Sequence, residues 1–122
     1  REDFVALLGV DPNSADARAG LGYLAALRKS PTDAQREAIH ALLHGAGDYI
    51  ALHNLACTYA ELAKLDKGQA KQHEDVGIAL LQRAVEVWRR GGRGPNEIDL
   101  IRGESSFELL RNRDEIKKLL KP

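Results

Sequence analysis

His53 and Cys57 stand four residues apart in the stretch His53-Asn54-Leu55-Ala56-Cys57-Thr58-Tyr59-Ala60, which contains no helix breaker. On a helix that spacing places imidazole and thiol on one face. A neighbouring imidazolium would lower the thiol pKa and activate it as a nucleophile. Backbone N–H groups in mid-helix are already bonded, however, so no oxyanion hole lies beside it. A small buried cysteine packing in a core is the plainer reading. His40 and His44 share the same spacing, which lets two imidazoles hold one metal ion. Ala41, Leu42 and Leu43 lie between them, so the Glu of a zinc-protease helix is missing, and no third ligand can be named. Gly91-Gly92-Arg93-Gly94 is glycine-rich but lacks both a preceding strand and a Lys-Ser/Thr pair, and reads as a linker. Arg89-Arg90, Arg93 and Lys117-Lys118-Lys121 sit near helix ends, where cations complement the helix dipole or offer a patch to an acidic partner. No catalytic residue, metal ligand or cofactor is expected. A small helical enzyme or metal sensor using His53/Cys57 or His40/His44 stands as an alternative.

The bulk numbers point the same way. The chain has 122 residues, enough for one domain with a modest core, and is 43% hydrophobic with Ala and Leu dominant. Eighteen basic residues balance 18 acidic ones, which disfavours a nucleic-acid partner. The single cysteine cannot make an internal disulfide. No apolar run approaches the roughly 20 residues that span a bilayer, so no membrane association is expected. A cytoplasmic protein is the expectation. The chain opens at Arg1 and holds no Met, and is read as a piece of something longer.

The elements that position these residues come from an internal repeat. Shifted by 34 residues, Leu21, Gly22 and Ala25 fall on Leu55, Ala56 and Tyr59, while Phe4, Leu7 and Pro12 fall on Ala38, Ala41 and Ala46. Ala34, Ala38 and Ala41 recur 43 residues later as Gly77, Leu81 and Ala84, so about nine residues are inserted somewhere in 63–75. These offsets predict the end of one repeat over 1–12, a helix pair over 15–48 and a second over 49–91 with a lengthened second helix. Short capping helices follow over 95–121. Asn13-Ser14, and Thr32 with Gln35, are expected to cap helix starts. Gly45 and Gly47 are expected to stop the helix before them. Ser105 with Glu108 and Asn112 with Glu115 read as capping boxes for helices at about 106–111 and 113–120. Phe107, Leu110, Ile116, Leu119 and Leu120 would cover the open end of the stack.

The pattern L-G-x2-Y, then A-x3-F-x2-A, then Pro, distributed over the three partial copies, resembles the tetratricopeptide repeat (TPR), and His53 to Ala60 is close to the "NLACxYA" helix of bacterial TPR proteins. The ending, with Leu110-Arg111-Asn112-Arg113-Asp114-Glu115-Ile116 and Leu119, resembles the element closing the TPR region downstream of bacterial serine/threonine protein kinase domains. Arg18 and Ala25 depart from the family's bulky aromatic and Tyr. The resemblance implies an all-α, antiparallel helix-pair solenoid with a short-helix C-terminal cap. It also implies a non-catalytic scaffold for protein–protein contact, in which the first helix of each pair lines a concave groove.

In the first full copy that face carries Asp16, Ala19, Tyr23, Ala26 and Leu27, and in the next Ile50, His53, Cys57, Ala60 and Glu61. The expected partner is a protein or peptide, with self-association as a homodimer a further expectation. Asp16 and Glu61 bring the wrong sign for an acidic C-terminal tail. Two readings compete with an open groove: the wall packs against the chain's own flanking helices, or the chain is a spacer without a ligand of its own.

Overall fold

A computed structural model describes residues 15–43 and 48–121, with side chains from Arg18 onward. The expected half-repeat over 1–12, the Asn13-Ser14 cap, the Gly45/Gly47 stop and His44 lie outside the described residues. All regular elements among the described residues are helical: α1 (Ala15–Leu27), α2 (Pro31–Leu43), α3 (Tyr49–Leu65), α4 (Ala70–Arg89), α5 (Glu97–Gly103) and α6 (Asp114–Leu119). Single 3-10 turns occupy Lys67–Gln69, Ser105–Phe107 and Leu110–Asn112. None of these helices is long and apolar enough to cross a membrane.

α1 packs along α2 and α3 along α4, and α1 also lies against α3. Short connections force each pair to run antiparallel. The α1–α2 turn is closed without glycine. Lys29 takes φ 59°, and the N–H groups of Ser30 and Lys29 donate to the carbonyls of Ala25 and Ala26. That is a Schellman arrangement, which satisfies carbonyls that the helix end leaves orphaned. α2 then starts at Pro31, whose missing N–H costs nothing there. α3 starts where Asp48 accepts from the N–H groups of Ile50 and Ala51, at 2.7 and 3.4 Å.

Small residues set the spacing within both pairs. An ideal Cβ on Gly22 would stand 3.3 Å from the Ala34 carbonyl and 3.4 Å from the Ala38 nitrogen, so α1 and α2 approach almost backbone to backbone. Gly77 on α4 faces the Ala56 carbonyl of α3 less tightly, at 3.6 Å from such a Cβ. Leu21 and Leu55 are both buried, as are Ala34, Ala38, Ala41, Leu81 and Ala84. Arg18, in the place of an aromatic, reaches across α1–α2 to Glu37 at 2.9 Å.

The nine extra residues divide between helices and turn. Leu27 shifted by 34 falls at 61, but α3 continues to Leu65; Pro31 shifted by 43 falls at 74, but α4 begins at Ala70. The ninth residue lengthens the connection. His73 fastens the added turns, with its Nε2 3.2 Å from Asp66 and its ring beside that of Tyr59.

Three expected capping boxes are not what ends or starts the helices. Thr32 lies inside the first turn of α2, because the helix begins one residue earlier at Pro31. Instead of a helix over 106–111 there are two 3-10 turns, and the Glu104 carboxylate, not Ser105, caps the first by accepting from the Ser106 N–H. α6 starts after Arg113, not Asn112, and Arg113 makes no side-chain cap. Its guanidinium is drawn aside by three carboxylates, donating to Glu74, Asp75 and Glu115 at 2.9, 2.9 and 3.1 Å, which ties α6 back to α4. Phe107, Leu110 and Ile116 are buried here, whereas Leu119 and Leu120 are only partly covered.

The two close glycines should respond differently to a methyl group. Gly77→Ala has ordinary contact distances around it and should stabilise the fold by about 0.5–1 kcal/mol through helix propensity. Gly22→Ala would press on the α2 backbone, so the same propensity gain should be cancelled or reversed. Urea unfolding of the two variants beside the parent checks this; equal stabilisation by both would refute the close approach of α1 and α2.

Candidate functional site

α3 supplies the middle of the site because His53 and Cys57, one helical turn apart, face the chain segment 97–107. α1 adds Tyr23 beside them. The covering segment is shaped by local chemistry. Asn96 caps α5 by accepting from the N–H groups of Ile98 and Asp99, which makes Glu97 the first helical residue. Glu97 and Ile101 then share one face, and both are fully buried. After Gly103 the chain is extended at Glu104, and the 3-10 turn that follows brings Ser106 and Phe107 inward. The Arg111 guanidinium pins this corner by donating to the carbonyls of Ile101 and Glu104, at 3.0 and 2.6 Å.

The resulting contacts form one polar network inside an apolar shell. His53 Nδ1 lies 2.7 Å from Oε2 of Glu97, and a carboxylate can only accept, so the Nδ1 proton is shared with it. The other oxygen, Oε1, has no hydrogen-bond partner among the described residues. On the opposite side of the ring, His53 Nε2 stands 3.6 Å from Oε1 of Glu104. The Cys57 thiol donates to that same oxygen at 3.5 Å. Tyr23 places its hydroxyl 3.0 Å from Ser106 Oγ and 3.5 Å from Glu104 Oε2. Phe107 meets the His53 ring edge-on, with centroids 5.2 Å apart.

Comparison with known proteins finds no match: no family model, no curated protein and no solved structure.

Of the residues expected to line a groove, Tyr23, His53 and Cys57 are brought together. They face the chain's own segment 97–107. Ala19 is fully buried, as Ala26 and Ala60 nearly are, so they pack and present no surface. Leu27 and Ile50 are exposed and lie outside the cluster, while Glu61 pairs with Lys64 on its own helix at 3.1 Å. Asp16 is on α1, and its side chain lies outside the described residues. His40 is half-buried on α2. Glu97, Glu104 and Ser106 belong to the site and were not expected there. The available signal was the spacing of Glu97 and Ile101, which puts a carboxylate on the apolar face of a short helix.

Burial pushes the Cys57 thiol far above its ordinary range, and the adjacent Glu104 charge pushes it further. Burial likewise drives Tyr23 up to about 12, against the opposing hydrogen bond from Ser106. Both groups stay neutral near pH 7, which is the reverse of an activated cysteine. His53, Cys57 and Glu104 are also the one group of side chains among the described residues whose ligand atoms converge as a metal would need, all within 4.8 Å.

Cys57 should accordingly be inert toward thiol reagents in the folded chain. At pH 8, disulfide-exchange titration should proceed at least about tenfold more slowly than in denaturant, where the thiol regains its ordinary pKa. A native rate equal to the denatured one would contradict the buried, proton-bearing state.

Proposed function

We propose that the chain is a non-catalytic scaffold for protein–protein contact, built as a TPR-like stack of helix pairs and closed by its own C-terminal segment. The observation that carries this reading is the matched burial of the two pairs. Positions 34 residues apart on the first helices, and 43 apart on the second, meet at the same kind of small-residue crossing. Such stacking of near-equivalent hairpins is how helical repeats build extended binding surfaces. The resemblance of His53–Ala60 and of the 110–119 element to bacterial, kinase-linked TPR regions supports the same reading. So does the neutral, buried thiol, which argues against nucleophilic catalysis.

With the centre of the α1–α3 wall occupied by residues 97–107, the partner surface we favour is the outward face of α2. Ile39, Leu42 and Leu43 follow one another at helical spacing, and all are exposed, Leu43 by 79%. The opposite face of the same helix, Ala34, Ala38 and Ala41, already packs against its own chain. An apolar stripe of that spacing suits an amphipathic partner helix. In a kinase-linked protein, the partner would be a substrate, a regulator or a second copy of the chain.

A photo-crosslinking residue at position 43 should give a discrete adduct in cells, and Ile39→Glu should abolish it while leaving circular dichroism unchanged. The same label at Gln72, exposed on α4, should give none. Absence of an adduct at 43, or one indifferent to Ile39→Glu, would count against this surface.

A further inference from the structure

We infer that His53, Cys57 and Glu104 form a binding site for a single zinc ion, with Glu97 orienting the histidine. The site shares no residue with the apolar stripe on α2. The distances are those of a nearly assembled site. Zinc bonded to N, O and S at ~2.0–2.3 Å in tetrahedral geometry separates its ligand atoms by roughly 3.3–3.8 Å. Cys57 Sγ lies 3.5 Å from Glu104 Oε1, and His53 Nε2 lies 3.6 Å from the same oxygen. Taken together, one ligand atom from each of the three residues lies within 4.8 Å of the others.

The second observation is Glu97. It is fully buried, and the carboxylate is spent on His53 Nδ1 at 2.7 Å, with its other oxygen unpaired among the described residues. Holding Nδ1 protonated leaves the Nε2 lone pair facing Glu104 and Cys57. A carboxylate behind a histidine is the usual way of fixing a metal-binding tautomer. One thiolate and one ligating carboxylate balance a divalent cation, and the Glu97 carboxylate behind the neutral imidazole adds one further negative charge.

On binding, the Sγ–metal bond forms as the thiol proton leaves to solvent, so one proton is released per ion taken up. The soft thiolate selects zinc over magnesium or calcium. Glu104, 22% exposed beside a fully buried Cys57, marks the entry side. The Tyr23 hydroxyl and the Ser106 N–H donate to the other Glu104 oxygen, Oε2, at 3.5 and 3.4 Å, which holds the carboxylate in place. A metal here would clamp α3 to the chain leaving α5.

The full chain, freed of metal, is titrated with zinc alone by calorimetry and with cobalt(II) alone by absorbance. One equivalent should bind, with four-coordinate ligand-field bands, a thiolate-to-cobalt charge-transfer band and release of one proton. Cys57→Ser should lose the charge-transfer band. Glu104→Gln, at a partly exposed position, should stay folded and bind at least about tenfold more weakly. Glu97→Gln should keep the band but bind about 10–100-fold more weakly. A folded parent chain that shows no charge-transfer band would overturn the site. Zinc affinity unchanged in folded Glu104→Gln would do the same, since it would remove Glu104 from the ligand set.

Discussion

A buried carboxylate facing a buried imidazole governs how the C-terminal third of this chain is held. Glu97 is wholly removed from solvent, and its contact with His53 at 2.7 Å is its only side-chain hydrogen bond among the described residues. Removing a charged group from water costs several kcal/mol unless an opposite or hydrogen-bonding group receives it. α5 therefore has one good seating on α3, the one in which Glu97 meets His53. The chain that follows α5 inherits that register, with Arg113 separately tying α6 to α4. Ile101 falls beneath it, Phe107 packs edge-on against the same imidazole, and Leu110 and Ile116 complete the apolar layer.

The helix pairs beneath this layer obey a different constraint, which is steric. α1 and α2 approach closely because residue 22 has no side chain, and α2 offers only alanines on its inward face. The α3–α4 pair carries the same motif with looser contact and longer helices, its additional turns held by Asp66, Tyr59 and His73. The two constraints divide the surface. One face of the α1–α3 wall is consumed in seating the chain's own end, which leaves the outward stripe of α2 as the apolar face that the proposed scaffold would offer a partner.

Local chemistry was readable from the chain; distant pairing was not. Helix bounds and turn positions follow from local cues such as Pro31, and the doubled hairpin from small residues that recur at offsets of 34 and 43. The Thr32 box is pre-empted locally by Pro31, whereas the other two yield to tertiary contacts. Glu104, bonded also to Tyr23 and Cys57, caps in place of Ser105. Arg113, drawn to Glu74 and Asp75, precedes the last helix without capping it. His53 and Cys57 were visible as a pair at helical spacing, but their chemical meaning depends on Glu97 and Glu104, 44 and 47 residues further along. No periodicity links those positions. A cysteine that could have been activated by its histidine is instead silenced by burial and by the carboxylate facing it.

The dependence of the C-terminal layer on one buried pair can be measured by a double-mutant cycle on His53 and Glu97, read by chemical denaturation. His53→Phe alone strands the carboxylate and should cost about 3–5 kcal/mol. Adding Glu97→Leu to that variant should return most of the loss, because an apolar pair can fill the same space without desolvated charge. A single His53→Phe change that costs under about 1 kcal/mol, with the two substitutions simply additive, would mean that α5 is seated by something else.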